Sequence, residues 1–217
     1  MTEKQSPDDI TRRMECDAVR ARPTAKSWDD AAVEAVVDEA DRLAESALDA
    51  LRGKHGDRTP EEYLPKLGLK IKVVGVGERW PIPYFSLYDE AEHTVEVNTP
   101  LIKDVAAYLV KTGRADRAAD DRLRQTAIAH EIYHHLVPRP EVKMSWRERL
   151  RHQAEDARLD IVEEIAAVRF SQLLVGLDYS PLEYPAAAKE LKRVRSADTA
   201  SDSQPTGIFG FFRRGTM

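Results

Sequence analysis

The segment Thr126-Ala127-Ile128-Ala129-His130-Glu131-Ile132-Tyr133-His134-His135-Leu136 holds the pattern H-E-x-x-H. On a helix, residues four apart stand one above the other on the same face. His130 and His134 can then both reach one zinc ion (Zn2+) at ~2.0–2.1 Å. Such an ion lowers the pKa of a bound water from about 15.7 to about 7. Glu131, between the two imidazoles, is placed to take that proton and carry it to a leaving amine. Ala127, Ile128, Ala129, Ile132, Tyr133 and Leu136 around the motif are uncharged. A helix buried beneath a catalytic metal requires this, whereas a solvated helix would carry charges there.

A catalytic zinc takes three protein ligands and keeps one position open. A third histidine in the H-E-x-x-H-x-x-G-x-x-H pattern would need Gly at 137 and His at 140, where this chain has Val137 and Pro140. The remaining common solution is a glutamate from a later helix. In the segment 156–174, Leu159, Val162, Ala166 and Leu173 mark the buried side, and Glu163 and Glu164 both lie in an apolar stretch. A carboxylate turned toward a core needs a metal or a cation. Neighbours on a helix point about 100° apart, so at least one of the two is expected to be exposed, and the residues alone leave the choice open.

These residues must be positioned by a scaffold, and the chain offers one of fold class α+β, mostly helical, with a small antiparallel sheet packed on the H-E-x-x-H helix. Ser6-Pro7-Asp8-Asp9 starts a helix that Arg22-Pro23 breaks. A second helix starts at Ser27, carries Val33, Val36, Ala40, Leu43, Ala47, Leu48 and Leu51 along one stripe, and meets a stop at Gly53. Thr59-Pro60-Glu61-Glu62 opens a short helix ending near Gly68. The period then changes to two, which predicts strands over Leu69–Val74, Pro83–Tyr88 and His93–Asn98, two of them as a hairpin. Helices follow over Asp104–Thr112, Asp120–Leu136, Trp146–Val175 (one helix or two) and from Ser180-Pro181-Leu182-Glu183 to about Val194. Pro138 and Pro140 end the second of these, Ser145 caps the third, and Gly176 stops it. Residues 1–55 read as an N-terminal helical segment, 56–196 as the metal-binding domain and 197–217 as a flexible tail.

Composition narrows the function classes. A formal net charge of -5 argues against a dedicated nucleic-acid binder. The single cysteine, Cys16, excludes an internal disulfide framework and a cysteine-rich zinc site. The N-terminus lacks the apolar core of a secretory signal, and no run approaches the ~18 apolar residues of a membrane span. A cytoplasmic protein with no membrane and no direct nucleic-acid contact is the expectation.

With the two blocks on the page, the chain resembles the ImmA/IrrE-type metallopeptidases. Their pattern is a small sheet, a T-x-A-H-E-x-G-H helix, then E-x-x-A-N-x-F-A-x-x-L-L on a following helix. Here the first block is Thr126 to His134 and the second is Glu164-Ile165-Ala166-Ala167-Val168-Arg169-Phe170-Ser171-Gln172-Leu173-Leu174. The resemblance covers about residues 60 to 175. It implies His130 and His134 as zinc ligands, Glu131 as general base and Glu164 as third ligand, since Glu164 lies six before Phe170 as the pattern asks. The chain departs from the pattern at Tyr133 for Gly, Val168 for Asn and Ser171 for Ala. The resemblance further implies an endopeptidase whose substrate is a regulatory protein, such as a helix-turn-helix repressor. The first 55 residues carry no helix-turn-helix, so such a repressor would be encoded separately. The competing reading is a non-catalytic, zinc-stabilised protein that binds a partner through its N-terminal helix and its aromatic tail, Gly207 to Arg214. Glu131 favours the enzyme, because a structural zinc needs no carboxylate between its ligands.

Other residues carry weaker expectations. His135 points about 100° from His134 and reads as packing or surface. His152 and the basic run Lys143 to Arg151 read as exposed. Asp156 or Asp160 could orient a metal-bound histidine through its second nitrogen, though surface pairing with Arg158 or Arg151 fits them better. Tyr84, Tyr88 and Tyr133 are candidate donors to a developing oxyanion.

Overall fold

The structure, a computed structural model, describes residues 6–73, 75, 84–137 and 146–202, the side chains of 7, 120, 146–154 and 198–202 excepted. Pro138, Pro140, Ser145, His152, the basic run from Lys143 and the aromatic tail therefore lie outside the described residues or side chains.

Helix α1 (Pro7–Arg20) begins on a reciprocal capping box, Ser6 with Asp9. Helix α2 (Asp30–His55) is capped by the Asp29 side chain on the Ala32 amide at 2.8 Å. It runs through Gly53 and stops at Gly56, whose φ of 75° suits the left-handed turn that ends helices. Its buried stripe is Val33, Val36, Val37, Ala40, Ala44, Leu48 and Leu51. Leu43, placed on that stripe from spacing, is 40% exposed, because Val37 and Ala44 pull the apolar face round the helix. The short α3 (Pro60–Tyr63) and one 3-10 turn lead to the sheet.

Strands β1 (Lys70–Val73), β2 (Ser86–Asp89) and β3 (Thr94–Val97) form one sheet in the order β1-β3-β2. The β2–β3 pair is the expected antiparallel hairpin, but β1 lies parallel to β3, with Lys70 opposite Thr94. The sheet is therefore mixed and not antiparallel. Alternation alone carries no strand direction, and β2, the next strand in sequence after β1, pairs on the far side of β3. The central β3 is buried along its whole length, β1 is exposed along its own, and β2 is an edge strand.

The remaining elements are α4 (Thr99–Lys111), α5 (Asp120–Leu136), α6 (Trp146–Val175) and α7 (Glu183–Asp202). Helix α4 starts five residues before the position read from sequence, because Asn98 caps the Leu101 amide at 3.1 Å and Pro100 fits the first turn. Helix α5 has the predicted bounds. Helix α6 is a single helix of 30 residues ended by Gly176 at φ 71°. Helix α7 runs past Val194 to Asp202, since the first helix breaker after Pro185 in sequence is Pro205.

The core explains why α5 lacks a polar face around its motif. It packs on α6, on β2 and β3, and on α3 and α4, so Ile128, Ala129, Ile132 and Tyr133 are sealed. Helix α2 lies along α6 in the most extensive helix pairing of the fold, and its buried residues join those of α4, α5 and α6 in one apolar cluster. Along α6, Val162, Ile165, Ala166 and Phe170 face this cluster, whereas Leu159 is 50% exposed and not on the buried side. No helix of the described residues is long and apolar enough to cross a membrane.

Candidate metal centre

Helix α5 places His130 and His134 one turn apart, and their Nε2 atoms lie 3.2 Å from each other. Helix α6 brings Glu164 against both: Oε2 is 4.0 Å from His130 Nε2, and Oε1 is 3.8 Å from His134 Nε2. One ligand atom from each of the three residues falls within a sphere of mutual distances no greater than 4.8 Å. Bonds of ~2.0–2.1 Å in a tetrahedron set ligand atoms about 3.3 Å apart. The two nitrogens already meet that spacing, and the partly exposed Glu164 carboxylate has room for the small approach that remains. Two imidazoles and one carboxylate are also a donor set that suits a divalent transition-metal ion.

Glu163 does not point away. Its Oε1 sits 2.9 Å from His134 Nδ1. With Nδ1–H donated to that carboxylate, the Nε2 lone pair of His134 is left for a metal, which fixes tautomer and ring orientation together. The two adjacent glutamates straddle the line between α5 and α6, so both reach the site. Glu163 is the more enclosed, its side chain 16% exposed against 41% for Glu164. The orienting role considered for Asp156 or Asp160 falls to Glu163.

The protein around His130 strips water from its ring. Burial pushes its pKa down to about 4, against a partial opposing pull from Glu131 and Glu163. Its imidazole is thus neutral at ordinary pH, the form a metal requires.

Glu131 is 5% exposed and faces the strand side. Its Oε1 accepts from Ser86 Oγ at 2.7 Å, and the same hydroxyl lies 3.0 Å from the Ala127 carbonyl. Ser86, the first residue of β2, therefore ties the sheet to the motif helix one turn before Glu131. Nothing in the sequence marked it, because a strand serine has no spacing signature.

Beyond the metal group, His135 turns toward β2, where its Nδ1 meets the Tyr88 hydroxyl at 2.9 Å, with the two rings edge to face. It is half-buried, as expected, yet it lines the cavity of about 740 Å³ that also contains His130, Glu131 and His134. Tyr133 is fully buried against Phe170 and the edge of His134, and its burial raises the phenol to about 12. Tyr133 does not line the metal cavity, whereas Tyr88 does; Tyr84 is half-buried just before β2. Tyr133 instead fills the interior where the family pattern has glycine.

Comparison with family models, with curated proteins and with solved structures finds no significant match to this chain.

Proposed function

We propose that this chain is a zinc-dependent endopeptidase of the ImmA/IrrE type, in which His130, His134 and Glu164 hold the metal and Glu131 is the general base. The observation that carries the reading is the convergence of His130 Nε2, His134 Nε2 and the Glu164 carboxylate beside a buried Glu131. A purely structural zinc has no use for that second carboxylate.

When bound, zinc supplies Lewis acidity, which polarises a peptide carbonyl and acidifies water. Glu131 accepts a proton on its carboxylate and returns it to the departing amine. Ser86 donates to Oε1 and so holds the carboxylate in a single orientation. Glu163 keeps His134 in the tautomer that ligates. Tyr88 and His135 stand across the cavity, where a hydroxyl can meet negative charge developing on the carbonyl oxygen.

A peptide substrate suits the setting. Strand β2 is a sheet edge, and Ser86, Leu87 and Tyr88 line the metal cavity. An extended chain laid along that edge would gain backbone hydrogen bonds and bring a peptide bond to the metal. A regulatory protein, such as a separately encoded helix-turn-helix repressor, is the proposed natural substrate. A cytoplasmic setting belongs to the same proposal.

The test is digestion of an unstructured peptide library by the zinc-loaded protein. Cleavage that a chelator abolishes and zinc restores, and that is lost in Glu131→Gln, is the expected result. Cleavage undiminished by both treatments would remove the proposal.

A further inference from the structure

The two cavities that meet at the metal centre differ in chemistry, the first more polar than the second. One side is the cavity with Tyr88, Glu90, His93, His135 and Glu163, all polar or charged. The other is a second cavity of about 400 Å³ that shares Ser86, His130, Glu131 and Glu164 with the first. Most of its remaining wall is apolar, with Phe85, Leu123, Ile165, Val168, Leu182 and Tyr184 prominent in it. Leu123, Ile165 and Tyr184 are core residues, 1%, 3% and 3% exposed, so packing fixes these walls before any ligand arrives. Their elements are regular helices: α5 supplies Leu123, α6 supplies Ile165 and Val168, and the start of α7 supplies Tyr184.

We propose that this second cavity is a specificity subsite that takes one bulky apolar side chain of the substrate, next to the bond to be cleaved, and that Val168 limits its depth. The inference rests on the peptidase reading above. Continuity with the metal group sets the occupant: a chain crossing the metal must place a neighbouring side chain against His130, Glu131 and Glu164, and on this side the wall beyond them is mostly apolar, with Arg22, Thr126 and Ser171 as its polar members. Val168 stands one turn after Glu164 on the same face of α6. A charged or small residue would leave the cavity wet or empty and lose the burial of an aliphatic group. Burying such a side chain in full corresponds to an affinity gain of about tenfold to a hundredfold.

The experiment is titration of the zinc-loaded protein with amino-acid hydroxamates that share one zinc-binding group and carry a glycyl, alanyl, leucyl or phenylalanyl side chain. The expected result is affinity rising at least about tenfold from glycyl to leucyl. Val168→Phe, checked for zinc content, should lower the leucyl-to-glycyl ratio at least about fivefold. Equal affinity for all four probes in the wild type would overturn the subsite while leaving the zinc site standing. A leucyl preference that survives Val168→Phe would overturn the assignment to Val168. Failure of every hydroxamate to bind zinc-loaded protein would overturn the metal reading and the subsite with it.

Discussion

Helix α6 contributes to two clusters of ionisable side chains, and they are built in opposite ways. Toward α5 it offers Glu163 and Glu164, which meet His134 and His130 around one point. Toward α1 and α2 it offers Arg169, which faces Asp41 at 3.4 Å beside Glu15. In the first cluster Glu163 meets a ring nitrogen at hydrogen-bond distance, and the ligand atoms face a cavity. In the second, Glu15 is 1% exposed, and one of its oxygens and the facing Asp41 oxygen lack a hydrogen bond among the described residues. Burial pushes Glu15 up to about 7, and the nearby Asp41 adds to that, against the pull of Arg169 and Arg12. A buried carboxylate is therefore no sign of a reactive centre by itself. What separates the clusters is convergence: one aims several donor atoms at a shared point, the other closes a helix interface.

The sharpest way to break this comparison is at Glu131. Replacing it with Gln keeps shape and the Ser86 contact while removing the base, so peptide cleavage should fall by about 10²–10⁴-fold with zinc content unchanged. Steady-state kinetics beside metal analysis would show it. An equivalent Glu15→Gln change should leave cleavage where it was. Next in size is Glu164→Ala, which should weaken zinc binding by more than about a hundredfold, measured by competition with a chromophoric chelator. Glu163→Gln should weaken it less, about 10–100-fold, because it acts through the orientation of His134.

The smallest effect belongs to the α1–α2–α6 interface. Glu15 has its folded pKa raised from 4.5 to about 7, so the folded state holds the proton more tightly than the unfolded chain. Its contribution is fully favourable below about pH 4.5 and is lost as pH rises toward 7. At ~1.4 kcal/mol per pH unit, the loss is roughly 2–3 kcal/mol across that window. Glu15→Gln should flatten this part of the stability profile and make the protein more stable at pH 8. Urea unfolding at a series of pH values measures it, and an unchanged slope between pH 5 and 7 would show that Glu15 is not the group titrating.

Much of this was legible beforehand, and what was not has physical reasons. The H-E-x-x-H helix is periodic, free of breakers and apolar around its ligands, so its bounds and its burial could be read directly. The pairing of Glu163 with His134 could not, because it depends on the angle between α5 and α6. A 100° separation along one helix becomes two arms of the same site once a second helix lies between them. Ser86 was invisible for a similar reason: its role comes from where a sheet edge meets a helix. The parallel placement of β1 was hidden because alternation encodes a face and not a direction. Leu43 and Leu159 were misplaced because a stripe drawn from hydrophobicity does not know which neighbours α2 and α6 will find.

His130, His134 and Glu164 are proposed to hold one metal ion between α5 and α6. Elemental analysis of the protein after zinc loading and exhaustive dialysis tests it most directly, with Glu164→Ala as the paired sample. The account requires about one zinc per chain in the wild type and little in the variant. A wild type that retains no zinc, or a variant that retains as much as the wild type, would contradict it.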